Sequence, residues 1–271
     1  MQQPILVEQV LRRMPGSAGA QLALCDNKMR YVIKCTNNLQ GPNVLANEFL
    51  GVALMNALAL PTAEWRIAKY SLSAACPCDH SECDLHFASE LLKPSSEGRL
   101  YSYLPSSFVS RIENRPDFIG VLVFDIWAGS TDIRQAIYVE DHESRTFKAV
   151  FIDNGHLFGG PRWEFTLRPG IAICLDLSVY TDLFDPELIE AWIARIETIV
   201  PHILPGLVGT VPSQWYKGDA GHLQDTLLSR AESLRRLFWE EIRNLKGPLR
   251  NSFRGSYGTS RGSQILPGGC E

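Results

Sequence analysis

"VFIDNGHLFGG", residues 150–160, decides how the chain is read. An apolar run with the character of a buried strand stops on an acid, an amide and a glycine. Such an end is either a plain turn or a place where a carboxylate is needed. The residues upstream bear on the choice. "STDIRQAIYVEDHESRTFKAVFIDNGH" reads as a short strand from Ala136 to Val139, a polar turn from Glu140 to Arg145 and a second strand from Phe147 to Ile152, which makes a hairpin. In an antiparallel pair, residues just before the first strand lie beside those just after the second. Asp132 and Gln135 are therefore expected at one end of the hairpin with Asp153. Two acids and an amide at one spot suit Mg²⁺, which takes oxygen ligands and keeps several waters, and suit a base that positions an attacking hydroxyl. The same residues could also do no more than cap a hairpin in water.

Composition narrows the field. A chain of 271 residues with 45% hydrophobic content can bury one large core or two lobes of about 100–150 residues each. A net charge of -4 offers no electrostatic case for bulk nucleic-acid or anionic-membrane binding. No apolar run reaches the roughly 20 residues that span a bilayer, and "MQQPILVEQVLRRMP" lacks the pattern of a signal peptide, so a cytoplasmic protein without a membrane partner is expected. Seven cysteines, an odd number, point to reduced thiols rather than a disulfide framework. There is no internal repeat.

Nearer the start, "MPGSAGAQ" puts Gly16, Ser17 and Gly19 in a turn before "LALCDNKMRYVIKC", where Asp26-Asn27 supplies turn chemistry and Lys34 falls near a strand end. In "GPNVLANEFLGVALMNALALP", Asn43 can cap a helix that runs toward Pro61. Glu48 is an acid inside that apolar helix, so it is either exposed or paired, and a buried pair with Lys34 would satisfy both groups. "CPCDHSEC" holds Cys76, Cys78, His80 and Cys83, which could ligate zinc but whose spacing favours a polar turn between two strands. "RPDFIGVLVFDIWAG" is apolar nearly all round and reads as a buried helix ending at Gly129, with Asp125 in structural support. Trp127 and Trp163 read as core, and His156 as structural. "DPELIEAWIARIETIVPHILPGL" predicts a helix as far as Pro201, and "GHLQDTLLSRAESLRRLFWEEIRNLKG" one further amphipathic helix. From Gly247 onward, Gly, Ser and Arg predict a flexible tail.

The order of small-residue loop, strand lysine, helix glutamate, buried helix, "TDIRQ" and "FIDNG" resembles the protein-kinase-like fold, and most closely its HipA-type branch, with a likeness to phosphatidylinositol kinases; the match spans roughly residues 10–200. The resemblance implies an ATP- and Mg²⁺-dependent phosphotransferase acting on a hydroxyl of a protein or small molecule. It implies an α+β, bilobal molecule, with a sheet-rich lobe at 1–92, a mostly helical lobe at 93–246 and the tail at 247–271. It further implies that Lys34 contacts the nucleotide's α- and β-phosphates, that Glu48 holds Lys34 and that Asp132 orients the acceptor hydroxyl. Asp153 of "DNG" corresponds to the metal-binding aspartate of "DFG", and Glu90 and Leu92 of "FASELL" offer backbone groups to adenine. Two positions depart from the protein-kinase pattern. The metal-binding Asn five residues after the catalytic Asp is Ile137 here, leaving Gln135 as the nearest amide, and "PGSAGAQ" is not G-x-G-x-x-G. A nucleotide-binding but catalytically silent module is the alternative that these departures imply.

Overall fold

The computed structural model describes residues 3–16, 19–71, 74, 85–94, 97–165 and 173–244. Ser17, the group Cys76, Cys78, His80 and Cys83, and the tail from 247 lie outside the described residues.

Five strands form a closed barrel: β1 (Ile5–Arg13), β2 (Gln21–Cys25), β3 (Arg30–Lys34), β4 (Trp65–Tyr70) and β5 (His86–Glu90), in the order β1-β2-β3-β5-β4, with β1 and β4 parallel. The side-chain period of two decides what each strand offers. Along β3, Tyr31 and Ile33 are buried inside the barrel, so Val32 and Lys34 face the other way. β5 pairs with it in register, Val32 opposite Ser89 and Lys34 opposite Phe87, and the same outer face continues across both strands.

Helix α1 (Asn43–Ala57) joins β3 to β4 and is buried along most of its length. Asn43 is not its cap. Pro42 holds that position without a side-chain hydrogen bond, while the Asn43 amide donates to the carbonyls of Pro161 and Lys217 and accepts from the Lys217 N–H. A tertiary demand for that amide outweighs the local one. Helix α2 (Asp117–Ala128) is buried on every side and stops at Gly129 in the left-handed conformation. Beside it lies a three-stranded antiparallel sheet, β6 (Leu100–Tyr101), β7 (Gln135–Asp141) and β8 (Thr146–Ile152), whose β7–β8 hairpin is longer at its turn end than the sequence suggests.

Helix α3 (Pro186–Thr210) starts at an Asp185 cap and does not end at Pro201; it passes through both Pro201 and Pro205. Each proline removes a backbone bond at a cost of about 3 kcal/mol. The stripe Ile193, Ile196, Val200, Leu204 and Val208 is buried straight across them, and that burial keeps the helix going. The expected single helix after Gly221 is two, α4 (Ala220–Glu232) and α5 (Leu234–Asn244), parted at Ser233, whose φ of -101° and ψ of 4° leave the helical region. The apolar stripe is unbroken from Leu223 to Ile242, so periodicity does not register the break. α4 and α5 both pack on α2 and α3.

One core cluster fills the barrel, and a larger one runs from α1 through the hairpin to α2, α3, α4 and α5. Trp127 belongs to the latter, its indole N–H donating to the Leu227 carbonyl. Cys25, Cys35 and Cys174 are buried cysteines. Among the described residues, no helix is long and apolar enough to cross a membrane.

Candidate active site

A cleft of about 440 Å³ opens on the outer face of β3 and β5. Val32, Phe87, Ile137 and Ile152 make apolar walls, the segment Glu90–Leu92 runs along the rim, and Lys34, Glu48 and Asp153 supply the charge. Lys34 Nζ donates to Glu48 Oε1 and to Asp153 Oδ1, the latter at 2.8 Å. Glu48 Oε2 accepts from the Asn154 backbone N–H at 3.1 Å, so the buried carboxylate is satisfied at both oxygens. Burial works against the Lys34 ammonium, but Glu48 and then Asp153 outweigh it and raise its pKa. Burial would raise the Asp153 carboxyl; the Lys34 ammonium beside it holds it below the usual carboxylate range instead.

Asp153 stands where β8 ends, and its φ of 64° places it in the left-handed region, which Asp tolerates better than most residues. The chain turns sharply there, leaving Oδ1 on Lys34 and Oδ2 accepting from the Gln135 amide at 3.0 Å. Opposite residues of the hairpin's first pair, Gln135 and Ile152, make this meeting a consequence of register.

Asp132 makes no hydrogen bond to either Gln135 or Asp153. It is exposed in the loop before β7, its Oδ1 accepting from the Ile133 N–H at 2.7 Å, and it lines a neighbouring cavity of about 430 Å³. Arg134, two residues on, is buried. Its guanidinium is drawn inward to Asp125, Nε to Oδ2 at 2.8 Å with Nη2 on Oδ1, and Nη1 donates to the Ile152 carbonyl and to Asn154 Oδ1. Both members of this pair are buried, while residues 132–133 are exposed. Asp125 is thus held by a partner nine residues away, in the structural role expected of it.

Gly16 and Gly19 have φ of 122° and 59°, and the turn is closed by Met14 N–H on the Ala20 carbonyl at 2.7 Å. Among the described residues, that turn contributes Met14, Pro15 and Ala20 to the cleft, not the glycines. At the rim, the Glu90 N–H is taken by the Glu64 carbonyl and the Leu91 N–H by the Arg30 carbonyl, whereas the Leu92 N–H has no partner among the described residues.

Sequence reasoning passed over Asn47. Fully buried in α1, its amide nitrogen donates to the carbonyls of Gly155, Leu157 and Gly160, and its oxygen accepts from the Trp163 indole N–H at 2.9 Å. The helix that carries Glu48 is thereby tied to the loop that follows Asp153. Glycine keeps the two close: a Cβ on Gly51 would lie 2.7 Å from Asn154 Cβ and from Leu157 Cδ1, and one on Gly155 would lie 2.8 Å from Val44 Cγ1. His156 completes the loop, sharing hydrogen bonds with Gln40 and Thr131.

Among the described residues no three His, Cys, Asp or Glu side chains converge as a metal site. One carboxylate and one amide, Asp153 and Gln135, with Asn154 committed to Arg134, fit a Mg²⁺ ion that arrives with phosphate ligands and waters, and do not fit a metal held by protein alone.

The barrel with its inserted helix, the hairpin and the helical core make a protein-kinase-like fold. The crystal structure of a Helicobacter pylori proinflammatory kinase, CtkA, superposes with a TM-score of 0.51 at 12% identity, covering 83% of this chain and 94% of that one. Weaker likenesses join the chain to the Golgi casein kinase with Mn/ADP bound, at a TM-score of 0.47 and 10% identity over 89% of this chain and 74% of that one, and to the same kinase in another crystal structure, at 0.45 and 11% over 90% and 74%. No family model and no curated protein matches the sequence.

Proposed function

We propose that the chain is an ATP- and Mg²⁺-dependent kinase of the HipA type, bilobal, with lobes at 1–92 and 93–246 flanking the cleft, that phosphorylates a hydroxyl. The observation that carries this reading is the double ion pair of Lys34 with Glu48 and Asp153 at the charged end of an otherwise apolar cleft. Such an arrangement has a place for a flat apolar base and a fixed cation for phosphate. The kinase-like fold shared with CtkA agrees with it.

Adenine lies between Val32 and Ile152, bonded at the rim by Glu90 and Leu92. The turn that holds Gly16 and Gly19, and brings Met14, Pro15 and Ala20 to the cleft, covers the phosphates. Lys34, held by Glu48, exchanges its Asp153 partner for α- and β-phosphate oxygens. Asp153 and Gln135 would hold Mg²⁺, which when bound with the nucleotide supplies neutralising charge on the phosphates. Asp132 accepts a hydrogen bond from the acceptor hydroxyl and aligns its oxygen on the γ-phosphorus. A new O–P bond forms, the bond from phosphorus to the β,γ-bridging oxygen breaks, ADP leaves with that electron pair, and the hydroxyl proton passes to Asp132 and then to water.

Incubation with Mg²⁺ and γ-labelled ATP tests the reading. Label is expected on an added hydroxyl acceptor or on the chain itself, falling about 10²–10⁴-fold in Asp132→Ala, while the rise in melting temperature with Mg²⁺-ATP is retained. Thermal stabilisation without transfer identifies the silent nucleotide-binding module. Absence of both effects removes the nucleotide from the account.

A further inference from the structure

The two segments that carry the proposed chemistry, 131–135 and 152–156, are laced together at both ends. At one end the Gln135 amide donates to Asp153 Oδ2 at 3.0 Å, and Arg134 Nη1 donates to the Ile152 carbonyl and to Asn154 Oδ1. At the other end Thr131 stands on His156. Its backbone N–H donates to the His156 carbonyl at 2.9 Å, and its hydroxyl donates to the same oxygen at 3.2 Å. Gln40 Nε2 donates to His156 Nε2 at 2.8 Å, so the neutral ring carries its proton on Nδ1, which faces Thr131 Oγ1 at 3.4 Å. Asp132 and Ile133 form the exposed crest between these ties. The Ser130 hydroxyl holds the crest from the near side, donating to the Asp132 carbonyl at 3.0 Å. The Ile133 N–H fixes Asp132 Oδ1, and Asp132 Oδ2 has no partner among the described residues.

The Thr131 tie is close-fitting. A Cβ on Gly160, whose φ is 76°, would lie 2.6 Å from Thr131 Oγ1, so glycine at 160 leaves the hydroxyl its place. The tie is also the short path between the two acids: Thr131 adjoins Asp132, and His156 is three residues past Asp153. A single backbone bond pins one point of a loop. A hydroxyl bonded beside it resists rotation as well, and rotation decides the direction of the next side chain.

We infer that Thr131 is a positioning residue whose hydroxyl, on the His156 carbonyl, sets Asp132 at the spacing from Asp153 that phosphate transfer needs. The inference rests on the kinase reading for what Asp132 does, but not for how the loop at 130–133 is held. Thr131→Val keeps the shape and the backbone bond and loses the hydroxyl, whereas Thr131→Ser keeps the hydroxyl.

Two measurements on the full chain test it. With Mg²⁺ and γ-labelled ATP, Thr131→Val is expected to slow labelling of dephosphorylated casein or of the chain itself about tenfold or more, with more free phosphate released for each phosphate transferred. Its affinity for a non-hydrolysable ATP analogue is expected to stay at the wild-type value, and Thr131→Ser to transfer at close to the wild-type rate. Amide hydrogen exchange at 131–133, followed without nucleotide, is expected to quicken in Thr131→Val and not in Thr131→Ser. Wild-type exchange in Thr131→Val, quickened exchange with an unchanged rate of transfer, or transfer and analogue affinity falling together overturns the inference. A wild type that labels neither acceptor, while Thr131→Val quickens exchange, overturns the kinase reading instead and leaves the anchoring of the loop standing.

Discussion

The amide of Asn47, fully buried in α1, donates to the carbonyl oxygen of Gly155 at 2.9 Å, two residues past Asp153. Glu48 is the next residue of the helix, so the Asn47 contact sets where both ends of the Lys34 bridge stand. Asn47→Leu keeps the volume but strands the Gly155 and Leu157 carbonyls and the Trp163 indole N–H, each at about 1–3 kcal/mol. A loss of about 3 kcal/mol or more is expected by urea denaturation, with hydrogen exchange accelerated across 155–163. Protection of that loop equal to the wild type would remove Asn47 from its positioning role.

Arg134 and Asp125 are both buried, and breaking one side leaves an uncompensated charge. Asp125→Ala is expected to cost about 3–5 kcal/mol. The double variant Asp125→Leu with Arg134→Met removes both charges and is expected to cost less than the sum of the single changes Asp125→Leu and Arg134→Met. Strict additivity would mean that the two groups are not coupled.

The ion pairs at the charged end of the cleft also set a pH dependence. Asp153 titrates below its unfolded value of about 3.9, so its contribution to stability is complete above that pH and is lost as the pH falls through the folded value. Lys34 is displaced upward, so its contribution is complete below about 10.4 and fades only as the pH rises through its folded value. Denaturant midpoints followed from pH 5 to pH 2 should fall less steeply in Asp153→Asn than in the wild type. Asp117, whose carboxyl burial pushes up, is common to both proteins and cancels, whereas Glu48, pushed up by burial and further by Asp153, acts in the opposite sense and reduces the difference. Parallel acid limbs would show that Lys34 does not hold this carboxylate in solution.

Much of the fold was legible because its signals are local. The hairpin followed from two alternating runs around a polar turn, and the meeting of Gln135 with Asp153 followed from the hairpin. Glu48 announced a partner by being an acid in an apolar helix, and Lys34 at the end of a strand was within reach. What stayed hidden depends on partners far along the chain. A lone Asn at 43 or 47 has no pattern of its own, and its hydrogen bonds go to residues more than 100 positions away. Asp132 was expected beside Asp153 from register alone; it is exposed and lines the neighbouring cavity with Gln135, while Arg134, two residues on, is buried against Asp125. Pro201 was taken as a stop because the cost of a proline is local, while the burial that outweighs it is not.

The central claim concerns which way a nucleotide lies in the cleft, and a crystal structure with a non-hydrolysable ATP analogue and Mg²⁺ tests it most directly. The account predicts the purine against Glu90–Leu92 and the phosphates on Lys34, with the ion between Asp153 and Gln135. Phosphates at the Glu90 rim with the base against Lys34, or an analogue bound away from the cleft altogether, would contradict it.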